Sequence, residues 1–290
     1  MEHQRNRAEG WKHAKLSGHK NEDLVKALID EDAAYASDLL KRLGASGKSI
    51  KETSIGGLHE TNVESIIPGA RKTKSKTDLK IFYTDGSSNN ISIKKSLGGQ
   101  VYFVRAELFI ECYERHFNKS IPLNVKRAIS LFWAAADDAK EIIRSYADKS
   151  NSKNYNLQLR HASLNAETLH NYDITLYNDM LQWFKENAYE IAVLSFASGA
   201  ARSESEWSDH VWYINLLDEN NADDIFEIKE ICDAARNCAD TETYYGDSNG
   251  GTTIQLPFGF VQWHQRQMQF HHSYDKVKGL VKMSRDGVHA

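Results

Sequence analysis

Alternation of apolar and polar positions is sharpest between residues 78 and 95. Leu79, Ile81 and Tyr83 recur at every second position, interrupted on the other face only by Phe82, and Ile91 and Ile93 alternate with polar neighbours beyond the cluster Asp85-Gly86-Ser87-Ser88-Asn89. Two β-rich runs, 78–84 and 90–95, joined by such turn-forming residues predict a β-hairpin. With Gly86 at the middle of the turn, Asp78 falls opposite Lys94, and directly opposed residues of an antiparallel pair project from one face. Sliding the register by one residue on each strand keeps that parity. Asp78, Ser92 and Lys94 then share a polar face, while Leu79, Ile81, Tyr83, Ile91 and Ile93 share an apolar one.

The same patterning lays out the rest of the chain. Upstream, Asn21 reads as the N-cap of an amphipathic helix with the apolar stripe Leu24, Val25, Leu28 and Ile29, which leaves Glu22 in its first turn. Gly98-Gly99 opens a helix-patterned segment, Gln100 to Phe117, that returns Gln100 and Glu107 towards the polar face of the hairpin. Val125 to Ala147 and Tyr177 to Phe196 read as core helices, separated by a polar loop at 148–154. Asp209 to Leu217 reads as a buried strand and Asp224 to Arg236 as a helix. Residues 244–251 form a turn-rich loop, followed by extended segments at 252–256 and 261–272 around a turn at Pro257-Phe258-Gly259. Alternation within the last segment sets Met268 and Phe270 against Gln267, Gln269 and His271.

Composition narrows the class without selecting it. A chain of 290 residues with 41% hydrophobic content can bury a sizeable core, in one large domain or a core with an insertion. Its net charge of −4 hides an asymmetry: residues 1–127 hold 22 Lys/Arg against 16 Asp/Glu, and residues 128–290 hold 14 against 24. Such polarity suits a local basic cleft on an otherwise acidic molecule. Cys112, Cys232 and Cys238 form neither a C-x-x-C pair nor an even framework, which speaks against structural zinc and disulfides. His264, His271 and His272 lack a supporting Cys or carboxylate, and the adjacent pair would point to opposite faces of a strand. No Walker loop, G-x-S-x-G elbow or G-x-G-x-x-G helix start is present, so no nucleotide cofactor is expected. The N-terminal residues lack an apolar signal region and no run reaches membrane-span length, so the expectation is a cytoplasmic protein with no membrane partner.

The residues around the hairpin carry candidate chemistry. The run Arg71-Lys72-Thr73-Lys74-Ser75-Lys76 leads into Asp78 and concentrates positive charge where a phosphate backbone would lie. A carboxylate and an ammonium converging beside it are what phosphodiester hydrolysis needs. Hard carboxylate oxygens hold magnesium, and the lysine supplies further positive charge to the developing anion.

In their order, Glu22 on an early helix, Asp78 at a strand start, Ser92-Ile93-Lys94 on the next strand and Gln100 beyond resemble the PD-(D/E)xK nuclease superfamily, and most closely its type II restriction endonucleases. The resemblance covers roughly the first 120 residues well and the remainder loosely. It implies an α/β fold with a restriction-endonuclease-like mixed sheet flanked by helices, carrying a helical addition. It implies Mg2+ held by Asp78, with Glu22 as an accessory ligand acting through water, the Ile93 carbonyl as a further ligand, Lys94 beside the attacking water and Gln100 in support. Ser92 stands where the usual motif has Asp or Glu. One branch of these enzymes, including those cutting within CCGG, shows the same S-x-K and takes its missing carboxylate from the next helix. Glu107, thirteen residues after Lys94, is the expected substitute, with Glu60 or Glu64 as runner-up.

The organisation expected is a single nuclease domain over 1–290, with a catalytic core at about 10–118, a helical addition at about 120–200 and C-terminal strands with a DNA-reading segment at about 205–285. Lys72, Lys74, Lys76 and Arg71 are candidate backbone contacts. Gln262, Gln265, Arg266, Gln267, Gln269 and His271 are candidate readers, since Gln pairs with adenine and Arg with guanine in the major groove. The expected partner is double-stranded DNA, bound by a homodimer because two-fold sites call for two centres. The alternatives are a non-catalytic DNA-binding or regulatory protein on the same fold, kept open by Ser92, and a repair or structure-specific nuclease.

Overall fold

Two five-stranded sheets share the molecule, and the polar hairpin lies near where they meet. The computed structural model describes residues 7–56, 62–70, 72–217 and 222–286. The first sheet contains β1 (Ile50–Ile55), β4 (Leu79–Tyr83), β5 (Ser88–Lys94), β7 (His210–Ile214) and β8 (Asp223–Glu227), in the order β1-β4-β5-β7-β8. Only the β5/β7 pair is parallel, so the sheet is mixed. Between β1 and β4 lies a small ribbon of β2 (Asn62–Val63) and β3 (Thr73–Lys74). The second sheet is antiparallel, with the order β6-β12-β11-β10-β9. Its strands are β6 (Gly98–Val104), β9 (Tyr244–Gly246), β10 (Thr253–Leu256), β11 (Gly259–His264) and β12 (Gln267–Ser273).

The apolar face predicted for the hairpin packs as expected. Leu79, Ile81, Tyr83, Ile91 and Ile93 join Trp212 and Ile214 under two helices, α1 (Arg7–Glu31) and α2 (Ala33–Arg42), which contribute Val25, Ile29 and Leu39, with Leu43 at the C-cap of α2. Burying such side chains stabilises by about 1.5–3 kcal/mol each, which fixes strand parity. Asp32 ends α1 and caps α2, accepting from the N–H groups of Ala34 and Tyr35. The opposite face of β7, Val211 and Tyr213, belongs to a larger core with the second sheet and the remaining helices. These are α3 (Ala106–Phe117), α4 (Leu123–Phe132), α5 (Ala139–Tyr146), α6 (Ser152–His161), α7 (Ala166–Tyr172), α8 (Ile174–Glu186), α9 (Ala188–Ala192), α10 (Ile228–Asn237), α11 (Ala239–Glu242), α12 (Ser248–Gly251) and α13 (Tyr274–Arg285). Val193–Ser198 continues α9 as a π-helical turn ending at Gly199. No helix among the described residues is long and apolar enough to cross a membrane.

Several expected elements are redrawn by tertiary contacts. Asn21 caps nothing: α1 runs through it, and its buried amide donates to the Ile214 carbonyl and accepts from Leu216 N–H, at 3.0 and 2.7 Å. The segment after Gly98 begins as strand β6, because Val101-Tyr102-Phe103-Val104 pairs with β12, and the helix starts only at Ala106. The helix expected over 125–147 breaks after Phe132, where Ala134 takes a left-handed φ of 63°. Asp224 to Glu227 form a sheet-edge strand before the expected helix begins. The loop at 148–154 gives way at Ser152 to α6, and the loop at 244–251 contains β9 and α12. Residues 261–272 fold as a hairpin whose two turn residues, Gln265 and Arg266, both have positive φ.

Candidate active site

Asp78 sits at the mouth of β4 with its backbone held on both sides. Its N–H donates to the Ile91 carbonyl and its own carbonyl accepts from Gly56, both at 2.9 Å. Leu79 pairs with Ile91, which sets Ser92 across from Asp78, two residues short of the expected Lys94 partnership. The shift is an even one, so parity survives and the polar side chains stay together. One carboxylate oxygen of Asp78 accepts from Ile93 N–H at 2.8 Å and from the Ser92 hydroxyl at 3.2 Å. The Lys94 ammonium donates to the Ser92 oxygen, lies 4.0 Å from the Asp78 carboxylate and 3.5 Å from the Ile93 carbonyl. Ser92 therefore bridges Lys94 and Asp78 with one hydroxyl.

A second carboxylate comes from α1. Glu22 accepts a hydrogen bond from His19 across 3.1 Å, one helical turn away. Burial raises the Glu22 carboxyl above its ordinary range and Asp78 pushes it further, against the pull of His19 and Lys94. Asp78 is raised too, chiefly by burial, while Lys94 and the Ile93 and Ser92 hydrogen bonds pull it back. Two carboxylates whose charge is disfavoured in this way form a site that a cation relieves. No group of three or more His, Cys, Asp or Glu side chains converges among the described residues. Asp78, Glu22 and the Ile93 carbonyl are nonetheless a hard-oxygen set that suits magnesium, which keeps several waters and takes one or two carboxylates.

Lys76 is the next residue on the same face and approaches Asp78 and Lys94 from the second sheet's side. Its ammonium donates to the Val101 carbonyl and lies 4.7 Å from the centre of the Tyr102 ring. Burial first, then Lys94, push its pKa down to about 7. Behind Lys94, Nδ1 of the buried His272 ring and the Tyr213 hydroxyl share a hydrogen bond of 2.9 Å. Burial, followed by Lys94 and His271, lowers the His272 pKa to about 3.

The expected substitute ligand is not among the groups that act on Glu22 and Asp78. Glu107 is exposed in the first turn of α3, a helix that follows β6 of the second sheet and not the hairpin. Neither Asp78 nor Glu22 feels its charge among their leading influences, and the carboxylate coupled to Asp78 is Glu22. Glu64 is exposed and ion-paired with Arg202 at 2.5 Å. Glu60 and Arg71 lie outside the described residues. The signal for His19 was present in its spacing, three residues before Glu22 on a helical stripe.

Candidate DNA-contacting residues fall into two connected groups. Lys72, Lys74, Lys76, Gln100 and Gln267 line one cleft of about 660 Å3, together with Arg105, which sequence reasoning did not single out. Above β6, β12 and β11 runs a ladder of amides: Gln262 donates to Gln269 and Gln269 to Gln100, each at 2.9 Å. The Gln262 amide nitrogen and the His271 ring approach to 3.2 Å, and that ring stacks on Phe260 at 4.5 Å. Gln100 thus belongs to this ladder and is not aimed at Asp78 from a helix. His271 and His272 face opposite sides of β12, as strand geometry demands. Gln265 and Arg266 form the exposed tip of the β11–β12 hairpin. Two-residue turns of this hand favour Asn and Gly, and neither stands at this tip.

No protein-family model matches the chain, and no curated protein sequence matches it. Among solved structures, the restriction endonuclease MspI in complex with its cognate DNA is similar over 86% of this chain and 87% of that one. The identity is 15% and the TM-score 0.44, a likeness too slight to bear on what this chain does.

Proposed function

We propose that the chain is a magnesium-dependent endonuclease of the type II restriction kind, which hydrolyses both strands at a short double-stranded DNA site as a homodimer and leaves 5′-phosphates. The observation that carries this reading is the convergence of Asp78 and Glu22, both with raised carboxyl pKa values, on a lysine 4.0 Å from Asp78. A magnesium ion bound there would supply positive charge to the scissile phosphate as a Lewis acid. Lys94 presents its ammonium to the same phosphate and stabilises charge that grows in the transition state. Glu22, held by His19 and raised in pKa by burial and by Asp78, orients a water beside the scissile phosphate. The 660 Å3 cleft with its lysines and Arg105 tracks the phosphate backbone, while the amide ladder and the Gln265-Arg266 tip read base edges.

One observation favours a second reading, a DNA-binding protein without cleavage. Ser92 supplies a neutral hydroxyl where a third acidic oxygen would bind a metal, and it already bridges Lys94 and Asp78. Incubating the purified protein with plasmid DNA and magnesium separates the possibilities. Discrete fragments are expected. Nicks or a smear would point to a repair or structure-specific nuclease, and binding without cutting under every divalent metal would support the second reading.

A further inference from the structure

A separate cavity of about 280 Å3 opens between α6 and β11, on the edge of the amide ladder. It is smaller than sites for drug-sized ligands, about 300–1,000 Å3, and suits a single planar ring system. Trp263 forms one wall, and the His161 ring lies against it with centres 4.2 Å apart. The indole N–H of Trp263 is buried with no acceptor among the described residues. Asn154, Gln158 and Thr252 add amide and hydroxyl groups to the lining. Two exposed guanidiniums stand close by: Arg160 and Arg266 both act on His161, whose pKa is lowered by burial and then by their charge. Arg266 is the hairpin-tip residue held at φ 63°.

An aromatic wall, amides to meet the edge of a ring and cations acting on the wall's own His161 are three components of nucleotide recognition. Gln262 lines this cavity and also belongs to the ladder, so a base leaving a duplex on the ladder has only a short path to it. We propose that this cavity binds one nucleotide unit, its base against Trp263 and His161 and its phosphate between Arg160 and Arg266. The source of that unit, as a base extruded from bound DNA, rests on the reading above; a free mononucleotide carries the same chemistry.

Two measurements on the intact protein test it. The first follows the six indole N–H resonances while deoxynucleoside monophosphates are titrated, with Trp263 assigned by Trp263→Phe. Its resonance should move saturably, Arg160→Ala should weaken the response about tenfold, and the matching nucleosides should show no such dependence on Arg160. The second places 2-aminopurine at successive positions of a bound duplex, where an extruded base brightens and Trp263→Ala abolishes the rise. A rise in the second measurement assigns the unit to bound DNA, and a response in the first alone assigns it to free nucleotides. A protein that binds and cuts DNA yet gives neither response overturns the pocket and leaves the nuclease standing. One that binds no DNA but shifts Trp263 with nucleotides overturns the nuclease and keeps the pocket.

Discussion

Glu22 and Asp78 carry their negative charge at a cost set by burial, and for Glu22 by Asp78 itself. Removing either carboxylate should therefore remove the reason for a cation to bind, and removing Lys94 the charge that meets the phosphate. Asp78→Asn, Glu22→Gln and Lys94→Ala are each expected to slow single-turnover cleavage by about 10²-fold or more while DNA binding persists. Glu107→Ala should cut at the wild-type rate, since that residue is exposed on another element. His272 gives a separate expectation in pH. Its folded pKa, about 3, lies below the ordinary 6.5, so the unfolded chain takes up a proton first as the solution is acidified. This contribution to stability is complete above pH 6.5 and falls away from there towards pH 3. Urea unfolding should show a loss of about 2 kcal/mol between pH 8 and pH 5 that His272→Gln removes. An equal slope in wild type and variant would contradict the assignment.

Elements show what patterning alone can carry. The hairpin and its two faces were legible because period-two alternation survives any even shift of register, which is how Asp78, Ser92 and Lys94 stayed together although Asp78 moved from opposite Lys94 to opposite Ser92. Glu22 was legible as a helical residue, but for a different local reason from the one that positions it. Asn21 looks like a cap in isolation, yet its amide reaches partners 193 and 195 residues away to dock α1 on the end of β7. Asn21→Ala should cost about 1–3 kcal/mol in urea unfolding, because it leaves the Ile214 carbonyl and Leu216 N–H without their partner. A neutral result would mean that α1 is seated by Val25 and Ile29 alone. Gln100 and Glu107 were misplaced because an apolar run after two glycines fits both a buried strand and a helix, and only pairing with β12 decides it.

Across the whole molecule, the first sheet draws β7 and β8 from residues 210–227, and the second joins β6 to strands beyond residue 244. The basic cleft therefore combines early lysines with Gln267 from the far end of the chain. If this cleft tracks a DNA backbone, Lys72→Ala and Lys74→Ala should each weaken binding evenly across sequences and reduce the salt slope by about 1, as read by anisotropy titrations. A slope unchanged by both would move the backbone path elsewhere. The central claim is that Asp78 and Glu22 together hold one divalent cation beside Lys94. Calorimetric titration of the DNA-free protein with manganese, standing in for magnesium, tests it most directly. One cation should bind per chain, with binding lost in Asp78→Asn and in Glu22→Gln and retained in Glu107→Ala. Undiminished binding by Glu22→Gln, or its loss in Glu107→Ala, would contradict the claim.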